Sequence, residues 1–295
     1  MKKNKFLFCI GLLLTVATIV NAQSVTWISS TEGNVWQKSK VKLQSKSEQN
    51  PVLQVDGTEN GVAFKNWGTT FNELCWDALG LLTRTEQDEI LYNIFSPQGD
   101  LRITRGRISM GANDYARSWY SCDEVEGDFE LRYFNINRDK QTIIPFIRAA
   151  QKYNPNLTFW ISPWCPPSWM KINGDYPVLS SPFNSLSEKQ NYLLYGATGG
   201  QVDENEMKLT GARDGVFPRQ LATTDFMIQD PRYLQTYADY FCRFIDAYKE
   251  QGIPIDMVMY QNEAYSYTPY PGCAWTATGT IRFNKEYLAP TLRQM

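Results

Sequence analysis

The sequence predicts an α/β fold built from parallel βαβ units. Two observations predict it: strand-like and helix-like segments alternate four times between residue 62 and the C-terminus, and the strand segments are apolar or mixed runs rather than strict alternations. Such units build either a doubly wound sheet or a closed barrel, and length does not choose between them. A third observation narrows the function: no Gly-rich phosphate loop opens any of the helices, which weighs against a nucleotide-binding version.

The elements follow in order. Met1–Lys5 is basic and Phe6–Val20 is apolar, ending in Val20-Asn21-Ala22, so residues 1–22 are expected to be a secretory signal peptide that leaves Gln23 at the mature N-terminus. Its apolar run falls short of the roughly 20 residues a bilayer span needs, so no integral membrane span is expected, and the destination is export: secreted, periplasmic or cell-surface. Residues 23–60 hold Val25–Ile28, Val41–Leu43 and Val52–Val55, which read as short antiparallel strands. From residue 61 the pattern changes. A strand at 62–71 is followed by a helix at 83–95, which Thr83 and Glu86 mark with a capping box. A strand at 101–110 precedes a helix at 139–153 carrying Ile143, Ile144, Ile147 and Ala150 on one side. A strand at 157–162 leads into the segment 163–229, too long for a plain connection and therefore a place for function or insertion. A helix at 231–250 buries Tyr237, Phe241 and Phe244, a strand follows at 255–260, and a last helix begins near Thr278.

Composition excludes several chemistries. The net charge of −2 comes with no basic stripe, which argues against a nucleic-acid partner. The chain has no histidine, which removes Ser-His-Asp and Cys-His nucleophiles and His-based zinc sites. Cys75, Cys122, Cys165, Cys242 and Cys273 form an odd, widely spaced set with no CxxC pair, and they are expected to be buried or unpaired thiols. No ligand spacing suggests a metal, and no cofactor is expected. Chemistry here must run on carboxylates, tyrosines or lysines.

Such residues gather just after the strands, where a parallel barrel places its active site. Asn72, Glu73 and Trp76 follow the first strand, and Asn113, Asp114, Trp119 and Tyr120 the second. Trp164 and Trp169 follow the third, and Asn262 and Glu263 the fourth, trailed by Tyr265, Tyr267, Tyr270 and Trp275. Glycosidic cleavage needs two carboxyl groups, one protonated and one ionised, and aromatic planes accept the C–H faces of sugar rings. A glutamate acting as acid needs partial burial or a nearby anion, which the setting of Glu263 among tyrosines is expected to supply. Each residue has a plainer alternative. An isolated Asn-Glu pair is more often structural, Asp114 could brace its loop through Arg117 or Arg107, and tryptophans in a Pro-rich loop ordinarily pack a core. The run Gly106–Gly111 is no serine-nucleophile turn, because its spacing is wrong and Ser109 has no histidine to activate it.

Four stretches, WGTTFNE at 67–73, RISMGANDYARSWYSCDE at 107–124, FWISPWCPPSWMKING at 159–174 and MVMYQNEAY at 257–265, resemble in order and spacing family 30 of the glycoside hydrolases, the group of glucosylceramidases and β-1,6-glucanases. The resemblance implies a (β/α)8 TIM barrel over residues 61–295 with the first four βα units present, preceded at 23–60 by strands of a flanking β-sandwich. It implies a retaining hydrolase of β-glucosides or β-glucans, glycolipids included. It makes Glu263 the general acid/base, sets Asn262 on the hydroxyl next to the anomeric carbon, and lines the non-reducing sugar subsite with Asp114 and Trp164. Trp67, Arg107, Trp169 and Tyr265 are its further substrate contacts. Ala264 stands where the family usually has proline, and the family's nucleophile, a glutamate after the seventh strand, has no counterpart here. The likeness is thus to the N-terminal portion of such an enzyme. A non-catalytic glycan-binding protein or an inactive fragment is the alternative expectation.

Overall fold

A computed structural model describes residues 24–42, 61, 63–186, 225–264 and 266–295. The chain divides into two units, residues 1–63 and 64–295. In the first, β1 (Ser24–Thr31) and β2 (Asn34–Lys42) pair antiparallel through a turn at Glu32-Gly33, where Gly33 takes the left-handed φ of +79° that a tight hairpin turn demands. The hairpin joins two of the short strands expected there. The signal peptide expected at 1–22 and the strand expected at Val52–Val55 lie outside the described residues.

In the second unit, β3 (Gly68–Phe71), β4 (Arg105–Ser109), β5 (Thr158–Ser162) and β6 (Ile255–Val258) form one parallel sheet in that order. A doubly wound sheet reverses its strand order at a switch point, whereas a barrel adds each strand beside the last. The unbroken order therefore settles the alternative the sequence left open, in favour of the barrel. The crossovers are α1 (Glu73–Gly80) with α2 (Arg84–Phe95), then α3 (Ile143–Gln151), then α4 (Pro231–Glu250). After β6 come α5 (Ala277–Arg282), a π-helical segment Phe283–Leu288 and α6 (Ala289–Leu292).

Helix α2 starts as expected. The Glu86 carboxylate accepts the Thr83 N–H at 2.8 Å, while Thr83 Oγ1 accepts the Glu86 N–H at 3.4 Å. Helix α1 was not expected: the sequence reads as a long strand running into a loop, but β3 begins only at Gly68 and Asn72 caps a helix by accepting the Cys75 N–H at 2.9 Å. Helix α4 opens with Asp230 as cap and Pro231 in its first turn, and it buries Tyr237, Phe241 and Phe244 completely.

The strands alternate. Ile108, Phe159 and Ile161 are buried, and Phe71 packs 5.6 Å from Phe95 of α2 and 4.7 Å from Phe146 of α3. A Cβ at Gly106 would lie 2.5 Å from the Phe71 ring and 2.9 Å from Phe159, so glycine is what lets those rings close over β4. Arg105, Arg107, Thr158 and Trp160 occupy the alternate positions and stay partly exposed on the other, concave face. The described ends of the long segment after β5 are zipped together, Ile172 N–H donating to Phe226 O at 2.9 Å. Among the described residues, Cys75, Cys122, Cys165, Cys242 and Cys273 are free thiols, with Cys122, Cys165 and Cys273 buried.

Candidate active site

The site is built around Arg107, which strand alternation sets on the concave face opposite Trp160. Its Nη2 donates to Asn262 Oδ1 at 2.6 Å and to Ser162 Oγ at 3.0 Å. Its guanidinium lies 4.1 Å from the Trp164 ring centroid and 4.9 Å from that of Trp160. One cation thus ties together the ends of β4, β5 and β6. Burial lowers the pKa of Arg107, and the negative charges of Asp114 and Glu263 act against that shift, so both carboxylates lie within its field.

Glu263 adopts a left-handed φ of +49°, a conformation a non-glycine residue keeps only when its surroundings enforce it. Three backbone bonds do so: Asn262 N–H to Pro163 O, Ser266 N–H to Glu263 O and Trp275 N–H to Ala264 O, each at 2.8 Å. With alanine in place of proline at 264, hydrogen bonding shapes this loop. The Glu263 side chain is exposed, in contrast to the partial burial expected for it.

Asp114 is carried by a loop clamped onto α1. Leu74 N–H donates to Tyr115 O at 3.2 Å, and Arg117 N–H to Glu73 Oε2 at 2.8 Å. The Arg117 side chain is taken by Asp77, so the alternative in which it braces Asp114 is not what forms. Glu73, 1% exposed, also receives Arg138 through Nε at 2.9 Å and Nη2 at 2.6 Å. Burial by itself would raise the Glu73 carboxyl, but the Arg138 and Arg117 hydrogen bonds and the Arg138 charge outweigh it and hold the group below its ordinary value. Arg138 stacks 4.1 Å over Tyr120, whose hydroxyl, with that of Tyr248, donates to Asp139 at 2.6 Å. Burial pushes Asp139 up to about 6 in spite of those two donors.

The remaining expected contacts fall in different places. Trp169 is 9% exposed and packs edge-on against Phe129 at 5.4 Å, its indole N–H donating to Asp123 O at 3.1 Å, which is the core use of tryptophan. Trp67 is exposed at the N-terminal end of β3, beside Phe64 at 6.2 Å, the opposite end of the sheet from Asn262. Tyr265 lies outside the described residues. Ser162, Trp160 and Gln261 were missed by sequence reasoning. Period-two alternation from Arg107 across the β4–β5 register is the signal that would have found the first two. Tyr270, which trails the fourth strand in sequence, belongs here too: burial raises its pKa, and so do the charges of Glu263 and Asp114, which places it near both. Among the described residues, no group of three or more Cys, Asp or Glu side chains is arranged to hold a metal ion, and no helix is long and apolar enough to cross a membrane.

Residues 64–181 match the glycosyl hydrolase family 30 TIM-barrel domain. The chain is 27% identical over 294 residues to the Caenorhabditis elegans protein named "Putative glucosylceramidase 3", covering 95% of this chain and 47% of that one. It is 25% identical over 252 residues to endo-1,6-beta-D-glucanase neg1 of Aspergillus fumigatus, covering 83% of this chain and 45% of that one. The chain therefore spans less than half the length of these relatives. The solved structure of an endo-beta1,6-glucanase superposes with a TM-score of 0.61 at 21% identity, over 92% of this chain and 50% of that one, which shows a shared fold. The resemblance carried by the four motif stretches is borne out: residues 64–181 match that domain, and the parallel sheet has the unbroken strand order of a barrel.

Proposed function

We propose that the protein is an exported retaining hydrolase of β-glucosidic bonds with Glu263 as general acid/base. The observation that carries this reading is the Arg107 guanidinium, which bonds Asn262, lies against Trp164 and shares its field with Asp114 and Glu263. Glu263 protonates the departing oxygen and later takes a proton from the water that releases the sugar. Asn262 and Asp114 bind sugar hydroxyls, and the indole of Trp164 offers an apolar face. A second glutamate, from outside the four strand-end loops described above, attacks the anomeric carbon from about 5 to 5.5 Å across the site. The relatives named as a glucosylceramidase and an endo-1,6-beta-D-glucanase support a β-linked glucosyl unit as the common feature of the substrate.

The test is Glu263→Gln, assayed on an unactivated β-glucoside and on an aryl β-glucoside whose leaving group needs no protonation, with and without azide. The expected result is a loss of roughly 100- to 10,000-fold on the first substrate. The second should form the glycosyl-enzyme and pass the sugar to azide, giving a β-glucosyl azide. Undiminished turnover of the unactivated glucoside would refute the reading, and glycan binding without turnover by the unaltered protein would favour a binding role instead. Export is checked by the N-terminal sequence of the exported protein, expected to begin at Gln23.

A further inference from the structure

The acid/base reading leaves one buried polar side chain beside the site without a task. Gln261 is 8% exposed and directly precedes Asn262 and Glu263. Its Nε2 donates to Trp164 O at 2.6 Å and to Asn262 O at 2.8 Å, while its Oε1 accepts the Trp275 indole N–H at 3.2 Å. The indole can only donate, so Oε1 must face it, and both amide protons are thereby aimed at the two carbonyls. Trp275 is fully buried and stacks on Phe283 at 5.2 Å, which makes it a fixed anchor.

Both carbonyls matter to the site. That of Trp164 belongs to the residue whose ring lies against Arg107, and that of Asn262 belongs to the peptide leading into Glu263. Glu263 keeps its left-handed φ of +49° only if this peptide plane is held. We propose that Gln261 is the positioning residue of the acid/base: its amide, oriented by Trp275, locks the Asn262–Glu263 peptide to the Trp164 backbone and so aims the Glu263 carboxyl at the departing oxygen. This rests on the acid/base role of Glu263 and deepens it. Gln261 touches no substrate and acts through Glu263 alone.

The experiment uses Gln261→Met, which keeps length and loses both donors, with the same unactivated and aryl β-glucosides. A displacement on the order of 1 Å costs about 100-fold in rate, so kcat on the unactivated glucoside should fall by roughly 10- to 100-fold with KM nearly unchanged. The aryl glucoside, which needs no proton for its departing group, should form the glycosyl-enzyme at close to the unaltered rate. A merely structural role would depress both substrates alike, and that result would overturn the proposal. Gln261→Glu adds a second readout. Ionised, it presents only acceptors to two carbonyls, whereas protonated it restores one donor, so activity should return in acid and the basic limb of the pH profile should move to lower pH. The charged or titratable groups around it are Glu263, Arg107 behind Trp164, Tyr260, whose ring meets that of Trp275 at 5.7 Å, the buried thiols of Cys165 and Cys273, and Asp225, which accepts the Thr276 N–H next to Trp275. An unshifted profile would count against the proposal. Should Gln261→Met fail to fold, Trp275→Phe removes the orienting N–H together with part of the buried indole ring, and it should show the same split between the two substrates at smaller size. If Glu263→Gln itself costs nothing, the functional reading fails; if Glu263→Gln is crippled while Gln261→Met is unaffected on both substrates, only the positioning role fails.

Discussion

Replacing Arg138 with methionine should strand a carboxylate. Glu73 is 1% exposed and depends on Arg138 for two hydrogen bonds, and once the arginine is gone it keeps the Arg117 backbone N–H and the Thr142 hydroxyl as neutral donors. Removing one partner of a buried ion pair costs about 3 to 5 kcal/mol. The Arg138 side chain is itself 28% exposed, so solvent partly screens the pair and the lower end applies, about 3 kcal/mol. For a domain of this size that lowers the melting midpoint by roughly 6 to 12 °C. The double variant Glu73→Gln/Arg138→Met removes the stranded charge at position 73, and its neutral amide still accepts the Arg117 N–H, so it should be more stable than Arg138→Met alone. The effect has a pH signature. A carboxyl held below its ordinary value contributes stability that is present above its unfolded pKa near 4.5 and is lost as pH falls through the lower folded value, so the gap between the parent protein and Arg138→Met should close in acid. Urea titrations and thermal melts of the parent and the two variants at pH 7 and in acid measure all of this. A penalty for Arg138→Met under about 1 kcal/mol, or a double variant less stable than the single, would refute the reasoning.

Two further changes test other parts of the fold. Asp139 is fully buried and its folded pKa is raised from 3.8 to about 6, so its contribution to stability is complete below the ordinary value and declines as pH rises through 6. The stability of the parent relative to Asp139→Asn should fall by on the order of 3 kcal/mol between pH 4 and 7, and a difference flat in pH would contradict it. Gly106→Ala drives a methyl into Phe71 and Phe159 and should cost about 1 to 3 kcal/mol in urea titration; a neutral result would mean those rings can part freely.

Legibility in the sequence followed locality. Helix α2 was readable because Thr83 and Glu86 exchange their hydrogen bonds within one turn, and α4 because its apolar residues recur at helical spacing. Helix α1 was not readable, because eight residues carry little periodicity and its cap, Asn72, sits directly against a strand. The strand-end motifs announced Asn262, Glu263, Asp114 and Trp164. They could not separate Trp164, which lies under Arg107, from Trp169, five residues on in the same Pro-rich loop and packed into the core against Phe129.

The amino-acid order by itself determined the succession of βα units, the carboxylate-and-aromatic character of the strand ends and the exclusion of histidine chemistry, since these depend on neighbours within a few residues. Only the tertiary structure decided that the units run as a barrel rather than a doubly wound sheet, because strand order is a relation between segments and not a property of any one of them. It also decided that Arg107 is the hub of the site. The bond from Arg107 to Asn262 spans 155 positions of sequence, and no local pattern encodes a contact made only once three separate strands lie side by side.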